Sequence, residues 1–149
     1  MSFEEGPYVQ AAAFCDQVVE DKTGALSLIR IVDVLTHTEA GADPPSEMPP
    51  VPYKLKLVLM LKSGRVTGRH ELQIIPQLPS GETGDPFPVT IHLPGEQRGA
   101  NVVADIGYTF KLEGVYWFHV YFNGDLLTRM PFEMKYVRLV TGAARPPAS

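Results

Sequence analysis

Gly114-Val-Tyr-Trp-Phe-His-Val-Tyr-Phe122, then Asn123-Gly124, then Asp125-Leu-Leu-Thr-Arg-Met-Pro-Phe-Glu-Met-Lys-Tyr136 is the stretch that decides the fold. Two runs of aromatic, aliphatic and β-branched residues flank an Asn-Gly pair, the strongest short-range signal for a β-hairpin. Side chains alternate between the faces of a strand. In the first arm Tyr116, Phe118 and Val120 share one face, and Trp117, His119 and Tyr121 the other. In the second arm Leu126, Thr128, Met130, Phe132 and Met134 lie on one face, and Leu127, Arg129, Pro131 and Glu133 on the other.

The turn decides which faces join. A two-residue Asn-Gly turn alone opposes Phe118 with Arg129 and Val120 with Leu127, which mixes the two classes. A three-residue loop, Phe122 to Gly124, with Gly124 left-handed in a G1 bulge, opposes Val120 with Leu126, Phe118 with Thr128 and Tyr116 with Met130. A slip of one residue flips every side chain, so the buried face should select the register. The expectation is therefore the three-residue loop, with Trp117 opposite Arg129 on the outer face.

Composition narrows the setting. The chain has 149 residues, the size of a single domain, with 44% hydrophobic and 20% charged residues, as in a folded globule. A net charge of -4 argues against general nucleic-acid binding, which calls for a basic patch. Cys15 is the sole cysteine, so an intramolecular disulfide is impossible. Met1 to Glu5 is polar and acidic, unlike a secretory signal, and no apolar run approaches a membrane span. The expected setting is the cytoplasm, with no membrane and no nucleic acid as partner.

Proline and glycine punctuate short apolar runs along the chain, as in an all-β domain. Tyr8 to Glu20 is a strand, Asp21 to Gly24 a turn and Ala25 to Leu35 the return strand. Their register opposes Val18 with Leu28, Asp16 with Arg30 and Phe14 with Val32. A helix is the rival for Ala11 to Glu20; the tight turn and β-branched return favour the hairpin. Glu39 to Pro52 is acidic and Pro-rich with few large apolar residues, and is expected to be a mobile loop. Shortening it should then leave the melting temperature nearly unchanged.

Tyr53 to Leu61 alternates as a half-buried strand, with Tyr53, Leu55, Leu57, Leu59 and Leu61 on one face. Ser63-Gly64 turns it into Arg69 to Pro76, with His70, Leu72 and Ile74 inward. Leu78 to Pro86 is a loop, Phe87 to Leu93 a strand and Pro94 to Arg98 a turn. Ala100 to Leu112 is one strand or two, broken near Gly107. The domain spans residues 1–140, and 141–149 form a flexible tail of small residues and proline. The whole reads as an all-β, antiparallel immunoglobulin-like sandwich of about seven to nine strands.

Gly114-x-Tyr116-x-Phe118-x-Val120 followed by a glycine turn resembles the penultimate strand of many immunoglobulin-like domains. A second resemblance covers most of the chain. Phe14-Cys15-Asp16, Thr23-Gly24-Ala25-Leu26-Ser27-Leu28-Ile29, Gly68-x-His70 and Gly114-x-Tyr116, in this order, are similar to a family of small uncharacterised bacterial proteins, a domain of unknown function. That resemblance implies a bacterial source and a sandwich fold, with Glu39 to Pro52 as the variable insertion. It implies no activity.

Catalytic and metal-binding motifs are weak. His37, His70, His92 and His119 lie outside ligand spacing of one another, and no second cysteine joins them, so no metal or cofactor is expected. His70 is read as a hydrogen-bonded core residue. Cys15 sits mid-strand beside Asp16, which disfavours a thiolate, so a small buried hydrophobe is the better reading. Gly81-Glu82-Thr83-Gly84-Asp85 lacks the lysine and following helix of a phosphate loop. Glu4-Glu5 and Glu20-Asp21 occupy an end and a turn, where solvated charge is expected rather than acid–base chemistry.

The outer aromatic face remains. Trp117, His119 and Tyr121, joined by Leu127 and Arg129, are the candidate partner-binding residues, because Trp, Tyr and Arg are enriched at binding hot spots. The alternative is that another segment of the chain covers them. The leading expectation is a non-enzymatic module for protein interaction or self-association, its partner another protein or a second copy. The rival is a small-molecule or carbohydrate-binding sandwich using Trp117 and Tyr121 as stacking platforms in a pocket. An enzyme is the third reading.

Overall fold

The computed structural model describes residues 5–142. Among them the chain forms β1 (Tyr8–Glu20), β2 (Leu26–Ile31), β3 (Val34–Gly41), β4 (Val51–Gly64), β5 (Gly68–Gln77), β6 (Phe87–Leu93), β7 (Glu96–Phe110), β8 (Gly114–Phe122) and β9 (Asp125–Val140). They make a four-stranded sheet, β2-β1-β4-β7, and a five-stranded sheet, β3-β9-β8-β5-β6. The expected all-β sandwich is what the sequence folds into. Every pairing between strands is antiparallel except β3 with β9, which is parallel.

The core comes from alternation, as anticipated. Leu55, Leu57, Leu59 and Leu61 of β4 face Leu72 and Ile74 of β5 and Tyr116, Phe118 and Val120 of β8, all buried. Aromatic rings join the layers edge to face, the arrangement their quadrupoles favour. Phe14 lies 5.2 Å from Phe118 and 5.5 Å from Phe132, and Phe110 lies 4.9 Å from Tyr116. At Gly99 the backbones of β7 and β4 approach so closely that a Cβ would stand 1.6 Å from the Leu61 carbonyl oxygen.

The β8–β9 hairpin departs from its expected register. Phe122 pairs with Asp125 across a two-residue turn, and Asn123 (φ 48) and Gly124 (φ 86) are both left-handed, as a type I′ turn requires. Left alone, that turn would set Arg129 against Phe118. A bulge corrects it: Tyr121 pairs with Leu126 but Val120 with Thr128, so Leu127 is the extra residue. Beyond the bulge Phe118 pairs with Met130 and Tyr116 with Phe132. The turn keeps its preferred geometry and the core keeps its hydrophobic face. Leu127 packs against the core instead of joining the outer face, and Leu126 is 48% exposed.

The β1–β2 hairpin follows the expected register, with Val18 opposite Leu28 and Cys15 opposite Ile31. Asp16 accepts hydrogen bonds from the Arg30 guanidinium and, at 2.9 Å, from the Tyr53 hydroxyl. These donors hold the Asp16 carboxyl below the usual carboxylate range, Arg30 first. The return strand does not run on to Leu35. Val32 N–H donates to Phe14 in one sheet, and Asp33 C=O accepts from Glu133 in the other. The chain therefore changes sheet at Val32–Asp33. Likewise β7 passes unbroken through Gly107, and it begins at Glu96, inside the expected 94–98 turn.

The stretch expected to be mobile, Glu39 to Pro52, is partly strand and partly tethered. Its first residues complete β3 and its last open β4. Between them Met48 enters the core, 8% exposed. The Pro45 carbonyl accepts from Tyr136 Oη at 2.6 Å, and the Pro44 carbonyl from Arg138 Nη2 at 2.8 Å. His70 lies at the end of its inward row, half-buried beside the Phe122 ring, with Nε2 2.9 Å from the Thr67 carbonyl. The 143–149 part of the tail lies outside the described residues.

Tyr116 ties β8 to the connection before it. Its buried hydroxyl donates to Leu112 C=O at 2.6 Å and accepts from Leu112 N–H at 3.0 Å. This is the arrangement of a tyrosine corner in Greek-key sandwiches. Tyr116→Phe removes the partner of both backbone groups. It is expected to cost about 1–2 kcal/mol, read from urea unfolding; an unchanged midpoint would show that water replaces the phenol at no cost.

Candidate functional site

β8 is the middle strand of the five-stranded sheet, so its outward residues occupy the centre of a broad face. Trp117 is flanked by Gln77 of β5 and Pro131 of β9, and His119 by Ile75 and Arg129. Trp117 and Arg129 are therefore diagonal neighbours rather than direct opposites, a consequence of the bulge at Leu127. They still meet: the guanidinium carbon lies 4.8 Å from the centre of the Trp117 ring. Such a stack contributes about 0.5–1 kcal/mol at an exposed site. The His119 and Tyr121 rings follow along the strand, 6.3 Å apart.

Four of the five predicted residues, Trp117, His119, Tyr121 and Arg129, thus share the outer face, and Leu127 does not. Trp117, His119 and Tyr121 are half-buried by their neighbours in the sheet, while Arg129, Pro131 and Val115 around them are exposed. The surface is the outward face of the central strand and its two neighbours. A cleft of about 480 Å³ lies at the end of the sandwich, between the 78–85 loop and Gly107 to Lys111, with Tyr108 in its wall. Neither Trp117 nor Tyr121 lines it.

The other candidate groups have structural employment. Cys15 is fully screened, and burial followed by the neighbouring Asp16 charge pushes its thiol pKa up. Asp21 Oδ1 accepts from Thr23 N–H at 2.8 Å, Thr23 Oγ1 at 2.6 Å and Ala25 N–H at 3.1 Å, which builds the β1–β2 turn and lowers its pKa. In the 78–85 loop the Gly81 and Gly84 N–H groups are spent on the Leu78 and Pro76 carbonyls. Among the described residues no three His, Cys, Asp or Glu side chains gather as a metal site would require.

A second surface was missed by sequence reasoning. The outer side of the four-stranded sheet has exposed Ile29 and Ile31 on edge strand β2 and exposed Val103 on edge strand β7, with Cys15 of β1 and Val58 of β4 buried between them. A signal existed: β1, β2 and β4 have apolar residues on both alternating sets, where one wet face calls for polar ones.

A family of unknown function (DUF6941) matches residues 10–135. No curated protein is a significant match. Among solved structures, an immunoglobulin-like protein from Pseudomonas aeruginosa is similar at 16% identity and a TM-score of 0.44, over 90% of this chain and 100% of that one. β-glucosidase 3B from Thermotoga neapolitana, in complex with glycerol, is similar at 16% identity and a TM-score of 0.40, over 83% of this chain. This chain corresponds to only 16% of the length of that enzyme.

Proposed function

Since the chain belongs to the DUF6941 family, whose function is unknown, we propose from the geometry alone that it is a non-enzymatic module that binds a protein partner through the outer face of its five-stranded sheet. The observation that carries this reading is Trp117 stacked by Arg129 at the centre of that face, with His119 and Tyr121 in line. Trp, Tyr and Arg concentrate binding energy because each gives a large contact area at small conformational cost. A flat aromatic row suits a protein surface better than a sugar, which calls for a concave platform. A cytoplasmic setting belongs to the same proposal.

Trp117→Ala and Arg129→Ala are each expected to abolish partner association with the fold intact, as a partner hot spot requires. Tyr121→Ala should weaken association less, since Tyr121 lies nearer the turn. The measurement is quantitative pull-down from the native host, with thermal melts of each variant alongside. Undiminished association of Trp117→Ala with the same proteins would sink the reading. A melting temperature that collapses in Trp117→Ala would instead assign the ring to stability.

A further inference from the structure

We infer that two copies of this chain join along the free edge of β7, strand against strand in antiparallel, so that their two four-stranded sheets become one. The inference is independent of the Trp117 reading, because β7 lies in the other sheet. Among the described residues β7 has β4 as its hydrogen-bonded neighbour on one side and no strand on the other. Such edges are normally blunted by shortness, proline, lysine or a kinked backbone, because their unpaired N–H and C=O groups accept a further strand. The other three edges are shorter. β2 has six residues and is interrupted by left-handed Arg30 (φ 59), and β6 has seven and contains Pro88. β3 has eight. β7 has 15 residues with neither proline nor lysine, and its pairing with β4 runs from Gly99 to Phe110 without a shift.

The register selects a second copy as the occupant. A two-fold axis normal to the sheet sets each residue against one on the same face, and their numbers sum to twice that of the residue on the axis. With the axis at Val103, Val103 meets Val103, Asn101 meets Asp105 twice, and Gly99 meets Gly107. Val103, Asn101 and Asp105 are all exposed on the outer side. An apolar contact thus sits at the centre, an amide meets a carboxylate on each flank, and no side chains collide at the ends. Shifting the axis to Val102 or Ala104 sets Val103 against Asn101 or Asp105 and loses both kinds of contact. Asp105 is free to take part: its Oδ1 holds Lys56 at 2.5 Å, yet the side chain is 80% exposed. A groove of about 270 Å³ between β6 and β7, lined by Val89 to His92 and Ala100 to Val103, leaves the edge open beside the axis.

The length of the contact sets its strength. Pairing from Gly99 to Gly107 runs roughly 27 Å and adds roughly eight to ten backbone hydrogen bonds. The buried area stays below that of a standard interface, so a reversible dimer is expected, with a dissociation constant on the order of tens of micromolar or weaker. The two Trp117 faces stay uncovered, since they belong to the other sheets, and a dimer engages a multivalent partner through both.

Sedimentation velocity of the full chain, from low micromolar to several hundred micromolar, tests this. The expected result is a concentration-dependent monomer–dimer equilibrium. Val103→Lys sets two ammonium groups face to face on the axis and should weaken it roughly tenfold or more. Asn101→Asp sets carboxylate against carboxylate on both flanks and should weaken it about threefold to tenfold. Asn101→Lys instead sets an ammonium against Asp105 and should tighten it by a similar factor at low salt. Opposite signs at one exposed position separate the register from any loss of folding, should the Val103 variant melt early. Trp117→Ala should leave the equilibrium unchanged. A chain that stays monomeric throughout overturns the inference and leaves the edge to a strand of another protein. So do Asn101 variants that shift the dimer in the same direction or not at all, or a dimer broken by Trp117→Ala.

Discussion

Phe118→Ala is expected to lower stability by about 3–5 kcal/mol, the usual cost of removing a fully buried aromatic ring. Phe118 has no exposed surface. It sits mid-strand in the five-stranded sheet, pairs with Met130 and Pro76, and meets the Phe14 ring edge-on at 5.2 Å from the other sheet. Deleting it leaves a hole that Met130 fills only in part. Two ring pairs between the layers go with it, since the Tyr108 ring of β7 lies 6.1 Å away. For a chain of this size the loss corresponds to a fall in melting temperature of about 10 °C or more. Phe118→Leu, which keeps most of the volume, should fall by less than half as much. An alanine variant that melts with the wild type would mean that the ring does not join the two layers.

Replacing Ala42 to Pro50 with a short Gly/Ser linker should lower the melting temperature by several degrees, contrary to what composition suggests. The replacement withdraws Met48 from the core, a change of the kind that costs about 2 kcal/mol or more. It also exchanges four prolines, whose φ angles are already fixed, for residues that lose more backbone entropy on folding. The Pro44 and Pro45 carbonyls now hold Arg138 and Tyr136 near the end of β9. Met48→Ala separates the causes. If it reproduces most of the loss, the loop acts by filling the core; if it is neutral while the linker variant melts early, the proline backbone acts. A linker variant with an unchanged melting temperature would show that the segment contributes nothing to stability, as first expected.

The hairpin at Asn123-Gly124 shows how local and global preferences were reconciled. Reasoning from sequence treated turn type and core face as alternatives and gave the decision to the core. Both were kept, because one extra residue at Leu127 restores the alternation after a type I′ turn. A bulge leaves almost no trace in a run such as Leu126-Leu127-Thr128, where either leucine can be the inward one. Its effect on the candidate site was direct: Leu127 left the outer face, and Arg129 moved from opposite Trp117 to its diagonal. The stack survived because a long guanidinium side chain reaches across that diagonal.

Period-two alternation, by itself, determined that the chain is a β-sandwich and which rows face inward. Tyr116, Phe118 and Val120, or Leu55 through Leu61, can bury a common side in only one way. The same rule sent Trp117, His119 and Tyr121 outward, and the turn chemistry at Asp21 to Gly24 set the β1–β2 register. Only the tertiary structure decided where strands change partners. The break at Val32–Asp33 carries no glycine or proline, and it exists because β3 hydrogen-bonds to β9 from the far end of the sequence. Only tertiary structure assigned Met48 to the core, since one methionine among prolines has no periodicity to reveal its side. Whether an outward row is polar can be read along one strand. That Ile29, Ile31, Ala13, Val58 and Val103 share one side of a sheet depends on lateral strand order, which is set by contacts distant in sequence.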